Sequence, residues 1–332
     1  MKQRIFITFL LLALLLAACG KPAEPPVQSA PGSQSVDQSQ PAASLEEGKI
    51  TFTDALGQEF TIDPPRRAAV MIGSFADVWV LAGGEGVLAA TANDAWESYG
   101  LDLPEGAVNI GSPMKPNVEL VLAAEPDLII ASSLSPSNLE LREIFGQADI
   151  PAAYFDVSSL QDYLDLLELF TRLTGHPENY QKYGADVLEQ IAAMRTKYTI
   201  GADGPTATVL TLQVSGTSVK VKNSHDNVLG EMLNDLDCVN IADQDESLLE
   251  DLSLEAIIQA DPDFIFAVYH GTDEAAAQAN LEEALLSNPA WAGLRAVEEG
   301  NFHILERRMY SLKPNALWGD AYEKLADILC GD

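Results

Sequence analysis

The hydrophobic pattern of the chain contains an internal repeat. Residues 119–131 (ELVLAAEPDLIIA) align with residues 255–267 (EAIIQADPDFIFA), and six of the thirteen positions are identical at an offset of 136 residues. Each copy predicts a short helix, a Pro-Asp turn and a strand that is apolar on both faces. Proline ends a helix, and a strand buried on both faces is typical of a parallel sheet. The repeat therefore predicts two similar α/β units.

The rest of the pattern extends each unit into a sheet with helices. Between the units, residues 159–174 have apolar positions at helical spacing, and Pro177 opens a second helix that runs to about Tyr198. Strands are predicted at residues 68–72, 87–90, 152–156, 208–214 and 302–305, and helices at residues 75–82, 227–236 and 316–329.

This pattern predicts the α/β class with two lobes. Each lobe has a central, mostly parallel sheet flanked by helices, and a single long helix joins the lobes, which permits small rocking movements. The predicted boundaries are residues 48–157 for the N-terminal lobe, 158–204 for the interlobe helices and 205–332 for the C-terminal lobe.

The N-terminus has the pattern of an exported protein. Lys2 and Arg4 precede an apolar run that is shorter than the ~20 residues needed to span a bilayer. An ordinary signal peptide or a membrane helix would not need Cys19, which follows Leu-Ala-Ala and indicates a lipobox. We therefore expect a lipoprotein signal peptide at residues 1–18. Residues 19–47, rich in Pro, Ser and Gln, are predicted to be the lipidated cysteine and a disordered tether.

The charge of the chain limits its partners. It has 19 Lys+Arg against 50 Asp+Glu, a net charge of −31. Such a charge argues against nucleic acid or an anionic membrane surface as partner, so contact with the membrane is expected through the lipid anchor alone. Basic residues are scarce, and each one near a predicted site is therefore informative. The sequence has no Gly-x-Ser-x-Gly elbow, His-Glu-x-x-His or phosphate loop, and we do not expect an enzyme.

Two cysteines remain besides Cys19. Cys238 and Cys330 could form a disulfide in an oxidising compartment, tying the last helix to its lobe. Their spacing alone leaves this open.

Several short motifs, taken together, resemble those of periplasmic-type binding proteins of the iron–siderophore, cobalamin and haem class. The resemblance covers about residues 48–330 and implies a class III binding-protein fold. It also implies a monomer on the outer face of the cytoplasmic membrane, working with an ABC permease and its cytoplasmic ATPase. The motifs are Thr53-Asp54, Gly57, Pro65-Arg66-Arg67, Pro126-Asp127 and Asn288-Pro289-Ala290-Trp291.

The resemblance also implies a docking site for the transporter. In that family one glutamate from each lobe enters an arginine pocket of the permease, and the matching positions here are Glu119 and Glu255. A carboxylate at a helix start is stabilised by the helix dipole, and charge-assisted pairs with arginine orient a partner strongly. The alternative is that both carboxylates merely cap their helices.

Open α/β sheets bind ligands beyond the carboxyl ends of their strands, which in a two-lobed protein face a shared cleft. Met114 lies in such a loop, in a Pro-Met-x-Pro segment, and His270 follows the second repeat strand in a His-Gly turn. Both segments resemble the haem-receptor lipoproteins of the iron-regulated surface determinant pathway, which implies that Met114 and His270 are the axial ligands of haem iron. Packing of the methionine and hydrogen bonding of the histidine are the alternatives, and His225 is the main rival to His270.

Other cleft residues follow from position. Arg308 and Tyr310 are the preferred pair, since they follow a predicted strand at alternating spacing. The transported ligand is expected to be haem, with an iron–siderophore complex or a cobalamin-like corrinoid as the alternative. Candidate propionate partners are Lys115, Lys222, Arg307 and Arg308, and candidate walls are Phe75, Trp96, Tyr99, Leu134, Tyr269, Met309 and Tyr310.

Overall fold

The computed structural model describes residues 48–198 and 206–331, with the exception of residues 226, 246 and 251. The predicted signal peptide at residues 1–18, Cys19, the tether at residues 19–47 and the last part of the interlobe segment, residues 199–204, lie outside the described residues. Within the described part of the chain, no helix is both long enough and apolar enough to cross a bilayer.

The first lobe is built on five parallel strands, which follow an antiparallel hairpin. The strand order in the sheet is β5-β4-β3-β6-β7. The hairpin strands are β1 (Ile50–Thr53) and β2 (Glu59–Ile62), and the sheet strands are β3 (Ala68–Val70), β4 (Leu88–Thr91), β5 (Val108–Asn109), β6 (Leu128–Ser132) and β7 (Ala152–Phe155). The helices are α1 (Gly73–Leu81), α2 (Asp94–Glu97), α3 (Val118–Ala123), α4 (Pro136–Leu139) and α5 (Arg142–Gln147).

Two helices lead from the first lobe towards the second. Helix α6 (Leu160–Thr174) begins at a capping box between Ser159 and Asp162. Residues 179 and 180 are helical, and a π-helical turn (Gln181–Ala185) then leads into α7 (Asp186–Tyr198), so this helix begins two residues after the predicted start at Pro177. Residues 177 and 178 form a turn instead.

These helices contact both lobes. The hydroxyl of Tyr163 in α6 donates to the carbonyl of Tyr183 at 2.7 Å, which ties the start of the second helix to the first. Further along, Gln190 donates to Asp320 in the C-terminal lobe at 2.9 Å.

The second lobe has four parallel strands in the order β10-β8-β11-β12, and β9 is antiparallel to β8. The strands are β8 (Thr208–Val214), β9 (Val219–Lys222), β10 (Val239–Asn240), β11 (Phe264–Tyr269) and β12 (Phe302–Leu305). The helices are α8 (Val228–Asp235), α9 (Ser247–Glu250), α10 (Leu254–Ala260), α11 (Glu274–Leu281), α12 (Pro289–Ala292), α13 (Arg295–Glu298), α14 (Arg307–Tyr310) and α15 (Trp318–Cys330).

The sequence repeat is also a structural repeat. Its copies are α3 with β6 and α10 with β11, as predicted. The residue before each proline, Glu125 or Asp261, has a left-handed backbone with φ of 48° or 42°. The aspartate after each proline accepts hydrogen bonds from the start of a neighbouring strand: Asp127 from the N–H of Arg67 at 3.0 Å, and Asp263 from the N–H of Thr208 at 2.8 Å. The Pro-Asp pair thus positions two strands in each lobe.

Both sheets are covered on both faces, which explains their apolar strands. In β3, Ala68 and Val70 face a central core, whereas Ala69 faces an outer core. The central core also contains Phe266 of the second sheet and residues of α1, α6, α7, α8 and α15, so the two lobes share it. The predicted fold class is confirmed, and the exact lobe boundaries stay a prediction.

Candidate ligand-binding cleft

A cleft lies between the lobes at the carboxyl ends of the strands. A cavity of about 180 Å³ is lined by Leu134 and Ser158 of the first lobe and by residues of the second. A cavity of about 460 Å³ is lined by Ser98 of the first lobe together with Tyr269 and Arg307 of the second. This is where open α/β sheets place their ligands.

His270 lines neither cavity, but its ring contacts two residues that line the smaller one. Its backbone N–H donates to the carbonyl of Val214 at 2.7 Å, which fixes the turn after β11. Its ring Nδ1 lies 3.4 Å from Nε2 of Gln213 and 3.3 Å from Oγ of Ser311, and both of these residues line the cavity. Among the described residues, no hydrogen-bond partner contacts Nε2. In the tautomer in which Nδ1–H donates to the Ser311 hydroxyl, Nε2 carries the free lone pair, as in a histidine that binds a metal.

The environment keeps the His270 imidazole neutral. Burial lowers the pKa of His270 below its ordinary value of 6.5, and the positive charges of Arg307 and Lys222 lower this pKa further. A neutral imidazole can donate its lone pair to iron, whereas the protonated form cannot.

Met114 is not a packing residue of its own lobe. Its side chain is 77% exposed and that of Leu134 is 57% exposed, the two largest fractions among the large apolar residues of the described chain. The hydroxyl of Ser137 in α4 donates to the carbonyl of Pro113 at 2.8 Å, which holds the methionine loop beside the loop that carries Leu134. Lys115 is exposed next to Met114, and neither residue lines either cavity.

The other histidines have different surroundings. His225, the rival candidate, lies 3.9 Å from a carboxylate oxygen of Glu231 and lines neither cavity. The ring of His303 stacks on Phe266, with the centroids 5.8 Å apart. His176 pairs with a glutamate in the turn between α6 and α7.

Three predicted cleft walls lie elsewhere. Phe75 is fully buried in the central core, because α1 packs that face against the sheet, and its prediction as a wall is wrong. Trp96 packs against the same core and lines neither cavity. Met309 is buried in the core as well. By contrast, Leu134 lines the smaller cavity and Tyr269 the larger one, as predicted.

The prediction that Arg308 and Tyr310 face the ligand assumed an extended chain, and this local structure is wrong. Residues 307–310 form a helical turn, so side chains do not alternate as they would in a strand. Tyr310 contributes to the smaller cavity, but it is only 4% exposed and its hydroxyl donates to the carbonyl of Ala321 at 2.9 Å. Its role is mainly packing.

Arg308 bridges the lobes instead of facing a ligand carboxylate. Its guanidinium donates to Asp77 of α1 at 2.9 Å and to the carbonyl of Lys313 at 2.8 Å, and it lies 4.5 Å from the centre of the Tyr99 ring. Asn315 donates to the same Asp77 oxygen at 2.8 Å. Burial raises the pKa of Asp77, and the bonds from Asn315 and Arg308 oppose that shift.

Sequence reasoning missed three residues of the cleft. Gln213 and Ser311 hold His270, and Lys313 lines the smaller cavity. A polar Gln213 inside an apolar strand was a usable signal, and so was a lysine in a chain with few cations. Ser311 had no such signal.

The two candidate docking glutamates are exposed in the first turns of their helices. The backbone N–H of Glu119 donates to the Asn117 side chain at 3.0 Å, and that of Ala256 donates to Ser253 at 3.3 Å. Asn117 and Ser253, and not the two glutamates, therefore provide the N-cap hydrogen bonds of these helices.

No disulfide joins Cys238 to Cys330 in the described part of the chain. Burial raises the pKa of the Cys238 thiol to about 12, so the thiolate is disfavoured.

The sequence profile of a family described as periplasmic binding protein matches residues 70–308. The chain belongs to this family. Its members bind ligands and are not enzymes, so the prediction that the chain is not an enzyme is confirmed.

Two relatives from Bacillus subtilis (strain 168) cover nearly the whole chain. An iron-uptake system-binding protein is 26% identical over 328 residues, 98% of this chain and 95% of the relative. A putative ABC transporter substrate-binding lipoprotein, YhfQ, is 25% identical over 337 residues, 94% of this chain and 93% of the relative.

Two solved structures from Staphylococcus aureus share the fold. IsdE complexed with heme superposes with a TM-score of 0.63 at 16% identity, covering 79% of this chain and 98% of IsdE. SirA complexed with staphyloferrin B gives a TM-score of 0.62 at 20% identity, covering 84% and 97%. At these identities the likeness concerns the fold alone.

Proposed function

We propose that the protein is the substrate-binding lipoprotein of an ABC importer and binds haem in the interlobe cleft, with Met114 and His270 as axial ligands of the iron. Family membership and the relatives named as ABC transporter and iron-uptake proteins support the importer role. The relative named as a lipoprotein supports lipid attachment at Cys19 and a location outside the cytoplasm.

The observation that carries the haem proposal is the state of His270. Its imidazole is kept neutral, Gln213 and Ser311 hold Nδ1, and Nε2 is left for a ligand. Partners on the second nitrogen orient a metal-binding imidazole and raise its basicity.

The opposite lobe offers the second ligand and an apolar rim. Met114 exposes a thioether, and Leu134 exposes an apolar side chain, on two loops that a hydrogen bond ties together. A flat apolar macrocycle needs such a surface, and thioether with imidazole is a known axial pair for haem iron.

Titration with haem tests the proposal. We expect a shifted Soret band in the wild type, loss of most of the affinity in His270→Ala, and in Met114→Ala a changed spectrum with affinity lower by about tenfold, because one axial bond is lost. His225→Ala is the matched control and should behave as the wild type. A wild-type spectrum identical to that of free haem would reject haem as the ligand.

A ferric siderophore is the second candidate. Lys222 and Lys313 line the smaller cavity and favour an anionic ligand, and SirA shows that this fold accepts staphyloferrin B. Two results together would favour this candidate. A ferric siderophore would quench the tryptophan fluorescence of the protein, and the protein would leave the spectrum of haem unchanged.

A further inference from the structure

The smaller cavity of the cleft combines two cations with neutral polar groups. Lys222 and Lys313 line it, and no aspartate or glutamate does so among the residues that the structure describes. In a chain with 19 Lys+Arg and 50 Asp+Glu, a random surface of this size would be acidic. The neutral polar side chains that line it are Ser158, Thr211, Gln213, Asn227 and Ser311.

We infer that this cavity is a carboxylate-binding pocket, in which Lys222 and Lys313 together hold a carboxylate group of the imported ligand. The inference rests on the proposed function, since it concerns the same cleft, and it adds the part of the ligand that each lysine recognises. The carboxylate could belong to a haem propionate or to a carboxylate-type iron chelate.

Lys313 is positioned for this role by both lobes. It lies in the segment after α14 of the second lobe, and its ammonium donates to the carbonyl of Val157 in the first lobe. An ammonium has three donors, so this one bond leaves others for a ligand. Burial lowers the pKa of Lys313, although the charges of Asp156 and Asp162 oppose that shift. A ligand carboxylate would supply a negative charge beside the buried Lys313 ammonium and so stabilise its charged form.

Two carboxylates of the first lobe and of the start of α6, Asp156 and Asp162, act on the charge of Lys313, and both are already hydrogen-bonded. Asp156 accepts from the Ser158 hydroxyl at 3.1 Å. Asp162 accepts hydrogen bonds from the N–H of Ser158 at 3.0 Å and the N–H of Ser159 at 2.9 Å, and from the Ser159 hydroxyl at 2.8 Å. These bonds belong to the capping box of α6, so the carboxylate is held at the helix start.

Lys222 is the last residue of β9, and two hydrogen bonds to its carbonyl hold this end of the strand in place. Its carbonyl accepts from the hydroxyl of Thr211 at 2.6 Å and from the amide of Asn240 at 3.0 Å. Lys222 lines the cavity together with Gln213 and Ser311, the two residues that contact the His270 ring. A ligand with iron at His270 therefore has its carboxylate within reach of this pocket.

The larger cavity is less suited to a carboxylate. Arg307 and Arg308 line it, but so do Glu274 and Glu306, and Arg308 is committed to Asp77. Opposite charges in one cavity cancel much of the attraction for an anion.

Three probes and three variants test the inference: haem, haem dimethyl ester and ferric citrate, with Lys222→Met, Lys313→Met and Lys220→Met. Lys220 lies on the same strand and the same face as Lys222 but is exposed and lines no part of this cavity, so it controls for net charge. Each cleft lysine should contribute about tenfold to haem affinity, as a charge-assisted hydrogen bond does. The ester should bind the wild type about tenfold more weakly and be insensitive to both cleft substitutions.

Equal binding of haem and its ester, or equal losses in Lys220→Met and Lys222→Met, would overturn the pocket while leaving the haem proposal intact. Binding of ferric citrate that depends on both cleft lysines, without a Soret shift for haem, would keep the pocket and reject haem. Binding of none of the three probes would reject both. Because Lys313 also joins the lobes, Lys222→Met is decisive, and unchanged thermal unfolding shows that the variants fold.

Discussion

At the scale of single residues, the His270 imidazole makes ligand affinity depend on pH. Protons compete with iron for the neutral ring, and the pKa of His270 lies below 6.5 because of burial and the charges of Arg307 and Lys222. Affinity should therefore be constant from about pH 8 to about pH 6.5 and then fall by up to about tenfold per pH unit below the lowered pKa. Haem titrations across this range measure it.

The control for this prediction is His225→Ala, which should keep the same profile because the His225 ring lies beside Glu231 and not beside Gln213 and Ser311 of the cavity. An affinity that already falls between about pH 8 and about pH 7 would show that a group with a higher pKa binds the iron.

The role of a residue could be predicted only where the pattern that reveals it lies close to that residue in the sequence. His270 follows the second repeat strand, and Glu119 and Glu255 lie in the first turns of the repeat helices, so their places in the fold could be predicted. Met114 lies in the loop before α3 and was predicted from its Pro-Met-x-Pro segment. Arg308 was misassigned because its partner, Asp77, is 231 residues away in the chain. No local pattern reveals such a pairing.

At the scale of elements, the segment from α14 to Asn315 joins the lobes. Arg308 and Asn315 both donate to the Asp77 carboxylate, and the side chains of the ion pair are largely withdrawn from solvent, at 26% and 12% exposure. Arg308→Met leaves that carboxylate partly buried without its cation. We expect the free energy of unfolding to fall by about 2–4 kcal/mol, measured by urea denaturation.

The matched control is Lys324→Gln, which breaks the exposed pair with Glu306. Exposed pairs of this kind contribute roughly 0–1 kcal/mol. A loss in Arg308→Met no larger than that of the control would mean that the bridge does not stabilise the contact between the lobes.

Regular elements were predictable where apolar runs were long. Strands β8 and β12 have the predicted bounds. Strand β8 is a long apolar run that is largely buried on both faces, whereas β12 is a short apolar run in which Ile304 is exposed. The antiparallel β9 was missed because Val-Lys-Val-Lys is a short edge with one polar face. Helix α14 was missed because four residues are too few for helical periodicity to show.

At the scale of the whole molecule, the two lobes share one core. The central core contains the inner faces of both sheets, for example Leu128 and Phe266, as well as the helices between them. Separating the lobes widely would expose this apolar surface to water, which is unfavourable. The expected movement on ligand binding is therefore a small rocking of the lobes. The interlobe helices limit the movement because they pack in the shared core.

The placement of Glu119 and Glu255 in equivalent helices of the two lobes leads to the last prediction. Each is exposed and free of a capping role, so each can enter a cationic pocket of a permease. Reversing both charges, Glu119→Lys with Glu255→Lys, should reduce ligand uptake by cells at least about 100-fold, because two charge-assisted pairs become repulsive contacts. Ligand affinity of the purified protein should stay within about twofold, since neither residue lines the cleft cavities. Glu140→Lys with Glu282→Lys makes the same change in charge at one exposed site in each lobe and should leave uptake intact. Uptake that survives the first double substitution, or that the control lowers equally, would place the docking surface elsewhere on the molecule.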